Sequence, residues 1–176
     1  GFSYAQCSAL NLESLTEFRK LFINDLSNKQ DRKIYLARRN YSSRRLVNEP
    51  SIIEMFVRNG FEVVYPEQYT FEEQMYLFNS AKFIAGSSGA AFSNLIFCQE
   101  NTVVINFLAE EIKEFAVFSN LCALSHSQYY VETGRLLKDQ SCFLDRISWL
   151  YSDFEIDEKA LEIKLKQLLS QHQPQN

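Results

Sequence analysis

Arg38, Arg39, Arg44 and Arg45 fall within eight residues, and the run GSSGAAFSNLIF, Gly86 to Phe97, sets glycines, serines and alanines ahead of an apolar stretch. Guanidinium forks pair bidentately with phosphate oxygens. A glycine-rich turn at a helix start lets backbone amides approach the same kind of anion closely. Together these residues could recognise a diphosphate, and a nearby carboxylate such as Glu67 could accept hydrogen bonds from ribose or sugar hydroxyls. Each also has a plainer use. Glycine serves strand-to-helix turns for steric reasons alone, and arginine runs are often solvated patches; Arg39 and Arg45 are expected to be solvated under either reading. Glu67 after Pro66 could cap a turn, Glu49 could complement a helix dipole, Gln74 could be an ordinary exposed helix residue, and Asn94 could bond to backbone.

These residues act together only if the fold brings their loops to one place. Leu10, Leu12, Leu15, Phe18, Leu21, Phe22 and Leu26 recur at helical spacing and predict an amphipathic helix over 8–26. KIYLA (33–37), FEVVY (61–65), KFIAG (82–86), TVVINF (102–107) and SQYYV (127–131) read as strands. A helix opens at Asn48 as N-cap, carries Pro50 in its first turn and ends at Gly60. Thr70 and Glu73 form a capping box for the next, TFEEQMYLFNSA, with Phe71, Met75 and Phe78 along one side. A short helix over 89–98, one near 111–124 and a closing one near 157–171 complete the pattern. The alternation predicts an α/β fold, a Rossmann-like and mostly parallel sheet with helices on both faces. Ligands in such sheets sit beyond the carboxyl ends of the strands, near the switch in strand order. The arginines follow the first strand, Glu67 the second and the Gly86–Gly89 turn the third, so they should converge on one edge.

Eighteen basic against 22 acidic residues give a net charge of −4, so no overall basic field recruits nucleic acid or acidic lipid. Any anion site must be local. Cys7, Cys98, Cys122 and Cys142 show no CxxC or metal-type spacing, and free thiols in a reducing cytoplasm are expected. There is no signal-peptide pattern, and no stretch approaches the ~18 apolar residues of a membrane span. His126 and His172 read as structural or solvated, and the absence of D-x-D or a His/Cys/Asp cluster leads us to expect no metal or other cofactor. Residues 1–176 are expected to form one α/β domain. The start at Gly1, within helix-like sequence, suggests a piece of a longer protein.

The arrangement over residues 35–97 resembles the glycosyltransferase 61 family, which includes capsular polysaccharide and lipopolysaccharide enzymes, protein O-GlcNAc transferases and plant xylan transferases. The order is an arginine after a strand, R-x-x-x-x-x-R, then N-E opening a helix, a G-F-E-V-V strand, an acidic residue, F-x-x-Q, and a G-x-x-G-A turn with Asn four residues after its Ala. Carried over by position, the resemblance implicates Arg38, Arg44, Asn48, Glu49, Glu67, Gln74, Gly86, Gly89, Ala90 and Asn94.

The resemblance implies the C-terminal, donor-binding lobe of a GT-B-type enzyme of polysaccharide or glycoconjugate synthesis. Its donor would be a nucleoside diphosphate sugar, its acceptor a hydroxyl on a glycan or other molecule, and its site cytoplasmic, peripheral to a membrane through the rest of the protein. An N-terminal lobe would supply the acceptor site and general base. Arg38, Arg44 and Ser88 are then the catalytic candidates, through the amides around Ser88 to Ala90. Asn48, Glu49, Glu67, Gln74, Gly86, Ser87, Gly89, Ala90 and Asn94 are the donor-binding candidates. The family commonly reads G-x-H-G-A-G where this chain has Gly86, Ser87, Ser88, Gly89, Ala90 and Ala91, so Ser88 replaces a histidine and Ala91 a glycine. Serine can donate a hydrogen bond but carries no charge near neutral pH. Two alternatives stay open: a catalytically silent nucleotide-sugar-binding or assembly domain, and an unrelated Rossmann-like enzyme binding a dinucleotide or methyl donor.

Overall fold

The computed structural model describes residues 11–23, 29–39, 43–114, 117–137 and 151–172. Its apolar runs form strands β1 (Arg32–Leu36), β2 (Glu62–Val64), β3 (Ala81–Ser87), β4 (Val103–Ala109), β5 (Gln128–Leu136) and β6 (Phe154–Glu155). The α-helices are α1 (Leu12–Ile23), α2 (Glu49–Arg58), α3 (Phe71–Asn79), α4 (Val117–Leu124) and α5 (Glu158–Gln171). Short 3-10 helices cover Pro66–Gln68, Ala90–Phe97 and Glu110–Ile112.

Successive residues on a strand face opposite sides of its sheet, which gives the molecule two cores. Tyr35, Phe83, Ile105 and Phe107 pack with Ile52 and Phe56 of α2 and Leu161 and Leu165 of α5. Ile34, Ile84 and Val104 pack on the other face with Met75 and Phe78 of α3, Phe92 and Leu95 of the 3-10 helix, and Phe118 of α4. Every residue of β4 is buried, as a central parallel strand requires.

The strands run in the order β2-β1-β3-β4-β5-β6. All pairings through β5 are parallel, and β6 pairs antiparallel to β5. From β1 the chain passes through α2 to β2 on one side, then returns through α3 to β3 on the other. The strand order therefore switches between β1 and β3, the place where open α/β sheets hold ligands. Leu36 and Gly86 are register partners across this switch. Gly86 has φ +156, and a Cβ there would lie 2.7 Å from the Leu36 carbonyl oxygen. Its glycine is demanded by that close approach.

The expected α/β architecture is the one observed, with local differences. The first helix is seen over Leu12–Ile23, and Leu10 and Leu26 lie outside the described residues. The short helix expected over 89–98 is present as a 3-10 helix over Ala90–Phe97. The helix expected over 111–124 divides into the Glu110–Ile112 turn and α4. β5 continues five residues beyond SQYYV, to Leu136. Among the described residues, no helix is long and apolar enough to cross a membrane. Cys98 and Cys122 are buried free thiols, and burial pushes Cys122 up to about 12; Cys7 and Cys142 lie outside the described residues.

Candidate anion-binding site

A cleft of ≈600 Å³ opens at the switch point, a size suited to a small organic ligand. Its floor is the end of β1 and Ser87 at the end of β3. Arg38, Arg39 and Arg44 enter from the loop after β1, Pro66 and Glu67 from the turn after β2, Gln74 from α3, and Gly89, Ala90 and Asn94 from the segment after β3. Residues from four chain segments thus meet in one concavity.

Arg38 and Arg44 form its cationic centre. Burial lowers the Arg44 guanidinium from its ordinary value, the nearby charge of Arg38 lowers it further, and Tyr151 opposes both. Arginine stays protonated regardless, so two like charges are held close together. No acidic side chain among the described residues pairs with Arg44. Its backbone is left-handed, with φ 56, a conformation that costs a non-glycine residue about 1–3 kcal/mol and clusters at functional sites.

The Gly86–Asn94 segment faces this charge. Arg38 lies over Gly89: a Cβ on that glycine would meet the Arg38 Cζ and Nε at 3.8 Å. The Phe92 amide donates to the Gly89 carbonyl at 3.0 Å, the first bond of the 3-10 helix. The Ala90 and Ala91 amides precede that bond and have no intrahelical acceptor. Ser87 is 3% exposed and its Oγ has no hydrogen-bond partner among the described residues. A buried hydroxyl left unsatisfied is costly, and this one lines the cleft.

Other side chains hold the walls. Gln74 Nε2 donates to the carbonyls of Pro66 (3.0 Å) and Tyr69 (3.1 Å), while its Oε1 accepts from Asn94 Nδ2 at 2.7 Å. The Gln74 amide is therefore spent on joining the β2 turn to the 3-10 helix. Glu67 is exposed on the rim and is the one acidic residue lining the cleft among the described residues. Arg39, expected to be solvated, stacks 3.7 Å over the Tyr65 ring, a cation-π contact at the cleft wall. Arg45, also expected to be solvated, pairs with Asp153 at 2.6 Å.

Four expected site residues lie apart from the cleft lining: Gly86, which meets Leu36 within the sheet, and Asn48, Glu49 and Ser88. Asn48 occupies the N-cap position of α2, but its side chain makes no cap bond. It instead donates to the Ile156 carbonyl at 2.8 Å and to Glu158 at 3.1 Å, tying α2 to the start of α5. Glu49 is buried beneath β1, within 3.3 Å of the Tyr35 hydroxyl, which donates to it. Ser88 lies beside the cleft: its amide donates to the Phe107 carbonyl at 3.0 Å. With Arg44, Phe107 and Ser152 it borders a separate void of ≈10 Å³. The Ser88 amide is therefore already used, whereas those of Ala90 and Ala91 have no intrahelical acceptor.

Two supporting residues had no readable signal. Arg19 on α1 donates to the carbonyls of Ile96 and, at 2.7 Å, Cys98, holding the far end of the 3-10 helix. Asp153 holds the arginine loop from a stretch whose sequence shows no clear period. Among the described residues no group of three or more His, Cys, Asp or Glu side chains could hold a metal ion.

A sequence model of the family Glycosyltransferase 61 matches residues 3–105. That span is more than half of the 176 residues and contains every described residue lining the cleft. A search of curated proteins finds no match.

Proposed function

The chain belongs to the glycosyltransferase 61 family, and on that premise we propose that its switch-point cleft binds the diphosphate of a nucleoside diphosphate sugar during glycosyl transfer to a hydroxyl acceptor. The observation that carries this reading is the pairing of Arg38 with Arg44, two cations held together at the strand-order switch against the start of the 3-10 helix.

In the transfer, the bond between the anomeric carbon and the phosphate oxygen breaks with its electron pair left on the oxygen. The anomeric carbon bonds to the acceptor oxygen, whose proton passes to a base. Negative charge therefore accumulates on the departing diphosphate. Fixed cations take it up without reorganising at the moment of reaction. Arg38 and Arg44 fill that role, the Ser87 hydroxyl and the Ala90 and Ala91 amides complete the phosphate cradle, and Glu67 accepts from ribose or sugar hydroxyls. Gln74 and Asn94 brace the cleft wall, Gly86 permits the close approach of β3 to β1 beneath it, and Asn48 acts further off by tying α2 to α5.

Calorimetry and thermal melts with uridine diphosphate, other nucleoside diphosphates and inorganic pyrophosphate test the assignment. A ligand at 100 times its dissociation constant should add about 2.7 kcal/mol of stability. Arg44→Ala should remove about 1.5–3 kcal/mol of binding, ten- to a hundredfold in affinity. Stabilisation by NAD or S-adenosylmethionine, with none by any nucleoside diphosphate, would overturn the reading. Ser88 favours a second reading, binding without turnover: it is buried, its amide is used within the sheet, and its side chain carries no charge. Sugar released or transferred from a bound donor by the protein would exclude it.

A further inference from the structure

Arg44 owes its place to residues far along the chain. Its amide donates to the Tyr151 carbonyl at 3.1 Å. On the next residue, Asp153 Oδ1 accepts from the Arg45 amide at 2.8 Å, while Oδ2 accepts from Arg45 Nε at 2.9 Å and Nη2 at 2.6 Å. The Phe154 amide donates to the Arg45 carbonyl at 2.9 Å, the Val47 amide donates to the Phe154 carbonyl at 3.0 Å, and Leu46 bridges to Phe154. Leu46 and Phe154 are buried in the α2/α5 core, so the lacing is anchored at its base. Within it Arg44 adopts its left-handed turn and faces Arg38. Repulsion between those guanidinium groups favours swinging Arg44 out to water, and something must oppose it.

We propose that Asp153 is a positioning residue of this site: by gripping both backbone and side chain of Arg45, it fixes the turn that aims Arg44 into the cleft. This rests on the donor reading above. Asp153 lies outside the matched span of residues 3–105, so nothing in the family match assigns it a role. It also differs from an exposed ion pair of little consequence. Its side chain is 22% exposed against 55% for Arg45, and it accepts from the Arg45 backbone as well as from the guanidinium.

The test turns on sign. Asp153 is an acid near an anion site, so Coulomb's law alone predicts that Asp153→Asn strengthens anion binding. Positioning predicts the opposite. Calorimetry with inorganic pyrophosphate on the 176-residue chain should show Asp153→Asn weakening binding by about tenfold, the scale seen when an outer positioning partner is lost. In an Arg44→Ala background the same change should have no further effect. Glu155→Gln, which breaks the neighbouring Arg135 pair, should leave affinity at the wild-type value. Asp153→Ser, which keeps an oxygen for the Arg45 amide, repeats the test if the asparagine variant does not fold. Equal or tighter binding by the Asp153 variant would overturn the inference, as would the same loss with Arg44 already removed. Wild-type affinity in Arg44→Ala alone would instead sink the donor reading, and the positioning role with it.

Discussion

Gly86 and Gly89 stand three residues apart, and the backbone asks different things of them. At Gly86 a methyl group would meet the Leu36 carbonyl oxygen at 2.7 Å and the Leu36 Cβ at 3.1 Å, with φ already at +156. Neither obstacle is the end of a flexible side chain, so the sheet must part. Gly86→Ala should cost about 2–4 kcal/mol by urea unfolding, from backbone strain and overpacking together. Gly89 has φ −172, extended backbone that alanine adopts freely, and an added methyl would make ordinary contact with Arg38. Gly89→Ala should therefore leave stability within about 1 kcal/mol of wild type. It should nonetheless weaken pyrophosphate binding, because the methyl fills space between Arg38 and the turn. A Gly89 variant that binds normally would show that the anion does not approach this backbone, and would shift attention to the Arg44 side of the cleft.

Among the elements, α3 works as a bracket. Its capping box is complete, with the Glu73 amide donating to Thr70 Oγ1 at 3.2 Å and the Thr70 amide donating to Glu73 at 2.7 Å. That fixed start presents Gln74 to the Pro66 turn and to Asn94 together. Gln74→Leu strands three partners and should cost about 1–3 kcal/mol of stability. Its loss of pyrophosphate affinity should be smaller than that of Arg44→Ala; a larger one would mean that Gln74 touches the anion directly. The T-x-x-E box and strands β1 to β5 were legible because local chemistry decides them: apolar runs of strand length, several bounded by Pro66 or by glycine, leave few alternatives. The 3-10 helix was not, since AAFSNLIF buries Phe92, Leu95, Ile96 and Phe97 and shows no polar face whose period would separate one helix type from another. Asn48 holds the N-cap position that its type suggested, without the cap bond. A tertiary partner, the Ile156 backbone, claims the side chain. The convergence of Arg38, Glu67 and Gly89 followed from strand order alone, whereas Asp153 depended on a two-residue strand, β6, that no pattern announces.

At the scale of the whole molecule, the family-matched span and the folded unit do not coincide. Residue 105 lies in the middle of β4, whose far edge pairs with β5 from Val103↔Gln128 to Ala109↔Gly134. The core around Tyr35, Phe56 and Phe83 is closed by Phe154, Ile156, Leu161, Leu165 and Leu168, all beyond the match. A chain ended at residue 105 would keep only Val103–Ile105 of β4, with its β5 edge unpaired and one core opened, together with the unlaced Arg44 turn. Unpaired central strands of this kind favour association over folding. Such a chain should show no cooperative thermal transition by circular dichroism and no pyrophosphate binding, while residues 1–176 show both. If it melted cooperatively, β1 to β4 would be separable from the rest. If it then also bound pyrophosphate at the affinity of the longer chain, the cationic cleft would need nothing from β5, β6 or α5. The lacing at residues 151–154 makes a different outcome the physical expectation: the sheet that completes the core also sets the arginine turn, so stability and anion affinity should be lost together.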